Sequence, residues 1–127
     1  MVSINLKETS GVVLAYLGDS VWELYVREYF VQKGYNIKNL NKYVVASVNA
    51  KTQSKILREI FSEIDEDYKP LINRSKNGNI KTFPRSCSMM EYREATAFEA
   101  YIGALYINGE IGKIKEIIIK NLNREDR

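Results

Sequence analysis

The first long apolar segment of the chain, residues 10–33, has the pattern of a single helix and contains no proline. Its first part, VVLAYLGDSVWELYV, is apolar on nearly every side, which is typical of a central, buried helix. Thr9 or Ser10 can cap the beginning of this helix, and Gly34 stands where a helix-terminating glycine belongs. The pattern therefore predicts one long helix at the centre of the fold.

Apolar stripes at helical spacing predict further helices along the rest of the chain. These cover about residues 39–48, 50–63, 88–107 and 110–123, with a short helix beginning at the acidic residues 65–67. Ser88, with Glu91 three residues later, has the pattern of a capping box. Between the helices, residues 75–88 combine Asn-Gly, Pro84 and small polar residues, which predicts a flexible basic loop.

The whole chain favours one helical domain. No segment shows the alternation of a strand, so the predicted fold class is all-α, a single domain over residues 1–127 with about six to seven helices. A length of 127 residues with 45% hydrophobic residues suits one core. No apolar run reaches the roughly 18 residues that span a membrane. The chain begins without a signal-peptide pattern, and Cys87 is its single cysteine, so we expect a cytoplasmic location and no membrane partner.

Histidine is absent from the sequence, and this absence narrows the chemistry. It excludes imidazole as a general base and as a zinc ligand, and one cysteine cannot form a thiolate cage. Any catalysis must therefore rely on carboxylates, hydroxyls, Lys or Arg side chains, or on a hard metal ion bound through oxygen.

The net charge of +3 hides an uneven distribution along the chain. Residues 33–58 carry six Lys or Arg and no acid, and residues 69–93 carry six against Glu91 alone, whereas the rest of the chain is net acidic. Two concentrated basic segments indicate a face that binds a polyanion such as nucleic acid, although solvated surface lysines can also produce such a stretch.

Three carboxylates lie in strongly apolar helical segments. Asp19 and Glu23 share one face of the first helix, and Glu99 lies within ATAFEAYIGALYI. An ionised carboxylate in such surroundings needs a partner or a bound cation. Glu23 can pair with Arg27, which leaves Asp19 and Glu99 to share a metal ion or to find other partners. Small residues permit the close helix packing that would bring these two together: Ala95, Ala97, Ala100, Gly103 and Ala104.

Two segments carry a resemblance to a known family. LAYLGDSVWEL at 14–24 resembles the signature motif of the ribonuclease III endonuclease domain, and YREATAFEAYIGALYI at 92–107 resembles its second motif. The likeness extends to the small Mini-III ribonuclease branch, in which no double-stranded-RNA-binding domain follows. It does so through NAKTQSKIL at 49–57, Arg74 with Lys76 and Asn77, the polar loop to Pro84, and the Tyr-Arg pair at 92–93. The resemblance covers nearly the whole chain.

The resemblance implies that Asp19 and Glu99 are the catalytic residues and the metal ligands. Full-length family members carry further acids at the positions of Ala15 and Thr96, and the Mini-III branch shares these two departures. The metal is therefore expected to have fewer protein oxygens, and the number of ions stays open. Glu23 and Thr96 are candidates for an outer shell of polar groups around the metal. The alternative for Glu23 is the ion pair with Arg27 on the same helix.

The activity implied by the resemblance is Mg²⁺-dependent hydrolysis of double-stranded RNA to 5′-phosphate and 3′-hydroxyl ends, with Mn²⁺ as a substitute. The implied substrate is the precursor of large-subunit (23S) ribosomal RNA, and ribosomal proteins on that precursor are expected partners. The alternative is a catalytically inactive ribonuclease III-like domain that binds structured RNA, which the missing acids at positions 15 and 96 favour.

The resemblance also implies a homodimer, in which Tyr16 inserts into the neighbouring subunit; the alternative places Tyr16 in the core of its own chain.

The predicted RNA-binding face is expected to recognise the shape of a duplex through contacts with phosphates and 2′-hydroxyls, because A-form RNA hides its base edges in a deep groove. The alternative is that the basic loop is only solvated and does not contact RNA. The predicted RNA-binding residues are Lys51, Arg74, Lys76, Asn77, Lys81, Arg85 and Arg93.

Overall fold

The computed structural model describes residues 3–78 and 82–122, and these form an all-α domain. Six α-helices follow in order: α1 Gly11–Gln32, α2 Ile37–Val48, α3 Ala50–Ile60, α4 Lys69–Lys76, α5 Met89–Ile107 and α6 Ile111–Leu122. Two 3-10 turns, Phe61–Glu63 and Glu66–Tyr68, join α3 to α4. These two ranges contain no strand, so the predicted fold class is confirmed. No helix in them combines the length and apolar character required to cross a membrane.

Helices α1 and α5 form the centre of the fold. Trp22 on α1 meets Phe98 on α5 edge to face, with ring centroids 4.8 Å apart, and both side chains are fully buried. The indole Nε1 of Trp22 donates to the carbonyl of Ser47 at 3.1 Å, which ties α2 to this pair. Helices α3 and α4 pack against α5, and α6 touches both central helices. The apolar helix at 10–33 is therefore central, as its pattern predicts.

The backbones of α1 and α5 touch at two glycines. A Cβ atom added at Gly18 would lie 1.7 Å from the carbonyl oxygen of Glu99, and one added at Gly103 would lie 2.4 Å from the carbonyl oxygen of Leu14. Distances this short exclude any side chain at either position. The two helices thus cross in direct backbone contact, closer than packing through larger side chains permits.

Three predicted helix ends are confirmed by the local structure. The Ser10 side chain caps α1 by accepting from the backbone N–H of Val13. Gly34, just beyond the end of α1, has φ +82°, a left-handed conformation that glycine adopts without steric cost. Ser88 and Glu91 form both hydrogen bonds of the capping box at the beginning of α5. Each of these signals is local in the sequence.

The basic loop predicted at residues 75–88 begins later in the structure than the sequence pattern indicates. Helix α4 continues to Lys76, because the Ser75 hydroxyl is buried and donates to the carbonyl of Leu71 at 2.7 Å. Ser75 also packs directly against Gly11, where an added Cβ would lie 2.0 Å from its hydroxyl oxygen. Tertiary packing at this position outweighs the polar composition.

Two further helix boundaries differ from the pattern. The third helix ends at Ile60 instead of residue 63 and continues as a 3-10 turn. Helix α2 begins two residues earlier than predicted, because the side chain of Asn36 caps it by accepting from the backbone N–H of Asn39.

Candidate active site

Asp19 on α1 and Glu99 on α5 lie side by side where these two helices cross. Gly18 immediately precedes Asp19, and its backbone lies against the carbonyl of Glu99. The two carboxyl groups are within hydrogen-bonding reach of each other. Asp19 is exposed and Glu99 is partly buried, so the pair sits at an edge of the interior that solvent can reach. The structure thus brings together the two residues that the motifs single out, while their roles stay a prediction.

The surroundings of Glu99 disfavour its ionised form. Burial, a hydrogen bond with Asp19 and the charge of Asp19 raise the pKa of Glu99 to about 8, burial being the largest cause. The hydrogen bond from Gln53 acts in the opposite direction. Two carboxyl groups this close cannot both ionise easily unless a positive charge joins them. The pair is therefore suited to hold either a proton or a cation, and shifts of this kind cluster at functional sites.

Gln53 on α3 completes the surroundings of Glu99, and the sequence interpretation missed it. Its Nε2 lies 3.5 Å from Oε2 of Glu99, and the residue is 2% exposed. A signal was present in the pattern: Gln53 precedes Ile56 and Leu57 by three and four residues, so a polar amide occupies the apolar stripe of its helix.

The two outer-shell candidates have other partners in the structure. Glu23 accepts from Arg27 at 2.5 Å, which is the ion pair anticipated as its alternative role. The hydroxyl of Thr96 donates to the carbonyl of Tyr92 at 3.0 Å. Among residues 3–78 and 82–122, no group of three or more His, Cys, Asp or Glu side chains is placed to hold a metal ion. Asp19 and Glu99 are thus the two carboxylates that the candidate site offers.

The predicted RNA-binding residues fall into different environments. Arg74 is bound within the chain, because its guanidinium donates to the carbonyls of Leu6 at 2.5 Å and Thr9 at 3.1 Å. Lys51, Asn77 and Arg85 are exposed, whereas Lys76 and Arg93 are partly buried. Lys81 lies outside the described residues. Arg74 therefore secures the segment before α1, and contact of any of these residues with RNA stays a prediction.

A polar cluster on α3 and α5 was also missed. Glu94, whose side chain is 12% exposed, accepts from the hydroxyl of Ser54 at 2.7 Å and from Arg58 Nε at 2.9 Å. Although burial opposes ionisation, these hydrogen bonds and the positive charges of Arg58 and Lys76 lower the pKa of Glu94. The partners are distant in sequence, so helical spacing alone could not pair them.

Tyr16 lies one turn before Asp19 on the outer face of α1. Its side chain is 84% exposed, which excludes the alternative role in the core. Four other large apolar side chains on this helix are exposed: Val12, Val13, Leu24 and Val31. Val12 and Val13 lie within about one turn of Tyr16, and exposed apolar side chains grouped in this way are typical of an interaction surface.

Comparison with known proteins shows the family and the fold. The family described as Ribonuclease III domain matches residues 12–110, which include both motifs. A Mini-ribonuclease 3-like protein of Ilyobacter polytropus is 59% identical over 127 residues, the full length of both chains. A Mini-ribonuclease 3 of Thermoanaerobacter sp. is 37% identical over 110 residues, covering 86% of this chain and 78% of that protein. A crystal structure of a Fusobacterium nucleatum protein has a TM-score of 0.83 and 53% identity, covering 92% of this chain and 95% of that one.

The fold is that of a ribonuclease III-type nuclease domain. The chain belongs to the ribonuclease III family, within its Mini-ribonuclease 3 branch.

Proposed function

We propose that this protein is a divalent-cation-dependent endoribonuclease that cleaves double-stranded RNA, with Asp19 and Glu99 as its active-site carboxylates. The observation that carries the proposal is the contact between these two acids at the α1–α5 crossing. Membership of the ribonuclease III family supports the same reaction class. The expected products carry 5′-phosphate and 3′-hydroxyl ends.

The residues present suit a hard divalent cation. Burial and the adjacent carboxyl group of Asp19 raise the pKa of Glu99 to about 8, and a positive charge placed between the two acids would favour their ionised forms. Mg²⁺ prefers carboxylate and phosphate oxygens and keeps several waters, which matches a site with two protein carboxylates; Mn²⁺ accepts similar ligands. When bound, such an ion supplies Lewis-acid stabilisation of the charge that develops on the scissile phosphate. Asp19 and Glu99 would hold it.

The chain's own residues prepare this reaction by placement. Asp19 is exposed and can reach a phosphate at the surface, whereas Glu99 is held at the rim of the core by α5. Ala15 and Thr96 contribute no carboxylate, and the Thr96 hydroxyl is engaged with the backbone of its own helix. Water and substrate oxygens are therefore expected to complete the coordination.

A shallow cleft lies at the beginning of α3. It is lined by Asn49, Ala50 and Lys51 together with Ser86 and Cys87, which precede α5. We propose that Lys51 at this cleft and Lys76, Asn77, Arg85 and Arg93 elsewhere on the chain contact phosphates and 2′-hydroxyls of the duplex. Lys81 belongs to the same segment and is included in the proposal. Arg74 would act indirectly, because the structure engages it with backbone carbonyls.

The exposed face of α1 supports a homodimer. Tyr16, 84% exposed, would insert into the neighbouring copy, with the exposed Val12 and Val13 about one turn before it on α1. A two-fold symmetric arrangement places one active site on each strand of a duplex, because each site can reach only one strand at a cut. Both strands would then be cleaved by one dimer.

The substrate that fits this branch is structured precursor RNA. We propose the precursor of large-subunit (23S) ribosomal RNA in the cytoplasm, with ribosomal proteins bound to it as partners. The alternative function is an inactive domain that binds structured RNA. Ala15 and Thr96 favour it, because these positions carry acids in full-length members of the family.

Cleavage assays of Asp19→Ala distinguish the two functions. Purified protein is incubated with a duplex RNA and Mg²⁺, with and without a chelator, and duplex binding is measured in parallel. The proposal expects cation-dependent cleavage by the natural protein, and loss of cleavage with retained binding in the variant, since ligand loss removes transition-state stabilisation. Cleavage by Asp19→Ala at nearly the natural rate would contradict the assignment. Binding without any cleavage by the natural protein would favour the inactive domain.

A further inference from the structure

Gln53 is a polar side chain in an apolar position. It lies on the buried face of α3 with Ile56 and Leu57, and it is 2% exposed. Burying an amide is unfavourable unless its groups are hydrogen-bonded. A buried amide of this kind typically makes an interaction that an apolar residue of similar size cannot make.

That interaction is directed at the candidate active site. Nε2 of Gln53 faces Oε2 of Glu99 at 3.5 Å, the outer limit of a hydrogen bond. The same carboxyl group is also within hydrogen-bonding reach of Asp19. Glu99 thus stands between a neutral donor from α3 and an acidic partner from α1. Because Gln53 carries no charge, it can orient the carboxylate without competing for a cation.

The placement of the Gln53 amide is rigid. Gln53 is enclosed between α3 and α5, and its neighbour Ser54 fastens the same edge of α3 to α5 through the 2.7 Å hydrogen bond to Glu94. Two successive residues of α3 therefore contact two carboxylates of α5, at positions 94 and 99. A flexible Glu side chain has several rotamers, and a fixed donor at one oxygen selects among them.

We infer that Gln53 is a positioning residue, which holds one oxygen of Glu99 so that the other is directed towards Asp19 and a shared divalent cation. This inference rests on the proposed function. It adds a residue from a third helix to a site that α1 and α5 otherwise form alone. Residues that orient metal ligands typically change metal affinity or activity by about 10–100-fold when replaced.

Mn²⁺ binding to the full chain tests this role without relying on cleavage. Free Mn²⁺ is quantified by electron paramagnetic resonance for the natural protein, Gln53→Met and Asp19→Ala. Gln53→Met keeps the volume and removes the donor, so we expect about 10-fold weaker Mn²⁺ binding at unchanged thermal stability. Duplex cleavage should show a lower kcat with an unchanged KM. The control is Ser47→Ala, which removes another buried polar side chain, on α2, and should leave Mn²⁺ binding unchanged.

Gln53→Asn provides a second variant if Gln53→Met does not fold. It keeps the amide but withdraws it from Glu99 by one methylene, and the same weakening is expected. Normal Mn²⁺ affinity in a folded Gln53 variant, with binding lost in Asp19→Ala, would overturn the inference and leave the proposed function standing. Mn²⁺ binding that is equal in the natural protein and in Asp19→Ala would instead contradict the proposed metal site and this inference with it.

Discussion

Glu94 and Glu99 are two acids of the same helix in opposite electrostatic surroundings. Glu94 accepts hydrogen bonds from Ser54 and Arg58, and its pKa is lowered. Glu99, five residues further along α5, meets the acid Asp19 and has its pKa raised to about 8. The first carboxylate is satisfied by the chain itself, whereas the second is buried beside another acid, which opposes its ionisation. A cation bound between Glu99 and Asp19, as the proposed function requires, would favour the ionised forms of both.

The largest expected difference between these two acids is in catalysis. Glu99→Gln should lower the rate of duplex cleavage by about 100-fold or more, because it removes one of the two carboxylates proposed to hold the cation that would stabilise the transition state. Glu94→Gln is the matched control, being the same substitution on the same helix. It should cleave at a rate within a few-fold of the natural protein, as measured with a labelled duplex and Mg²⁺. Equal loss in both variants would show that the site extends along α5.

The pH dependence of stability should also separate the two acids. In the folded chain the pKa of Glu99 is raised from its ordinary 4.5 to about 8, so the unfolded chain releases this proton first. Without divalent cation, the contribution of Glu99 to the free energy of unfolding is fully present below pH 4.5 and is lost as pH rises towards about 8. Denaturant unfolding in the presence of a chelator should show this decline. Glu99→Gln should abolish this decline in stability with rising pH, and excess Mg²⁺ should oppose the decline in the natural protein.

Glu94 should show the opposite pH dependence. Its pKa is lowered below 4.5 by its partners, so the stability that it contributes is present above that pH and is lost as pH falls. Glu94→Gln should decrease the free energy of unfolding at pH 7 by about 1–2 kcal/mol, discounted because Arg58 is largely exposed. Chemical denaturation measures this loss. A variant as stable as the natural protein would mean that the Glu94 cluster contributes no net stability.

The smallest effect is expected from the basic side chains around Glu94. Lys76→Ala should weaken binding to all duplexes alike and make the salt dependence shallower by about one unit of slope, as expected for one lost phosphate contact. Arg74→Ala provides a contrast. It should mainly destabilise the segment before α1, because Arg74 donates to the carbonyls of Leu6 and Thr9. Affinity measured at several salt concentrations distinguishes the two, and an unchanged slope for Lys76→Ala would remove Lys76 from the RNA face.

The sequence predicts those features whose partners are near in the chain. The caps at Ser10 and Ser88 and the glycine after α1 follow from a few neighbouring residues, and the structure has them where expected. Asp19 and Glu99 could be singled out because an acid in an apolar helix is locally anomalous. Features of this kind can therefore be predicted from the sequence without knowledge of the tertiary structure.

The remaining features depend on contacts between distant segments. The hydrogen bonds of Gln53 to Glu99 and of Arg74 to Leu6 join residues separated by 46 and 68 positions. The sequence predicts Arg74 as an RNA-binding residue, whereas in the structure its guanidinium donates to backbone carbonyls of the same chain. The predicted loop began too early for a similar reason, since the burial of Ser75 against Gly11 is not visible in the sequence pattern.

The backbone contact at Gly18 and Gly103 has a mechanical consequence. Where two helices touch without intervening side chains, rotation of one against the other displaces their far ends much more than the point of contact. Asp19 and Glu99 lie at that point, because Gly18, which precedes Asp19, touches the backbone carbonyl of Glu99. The spacing of the two carboxylates is therefore set at a pivot, where a force on the ends of α1 or α5 changes it least.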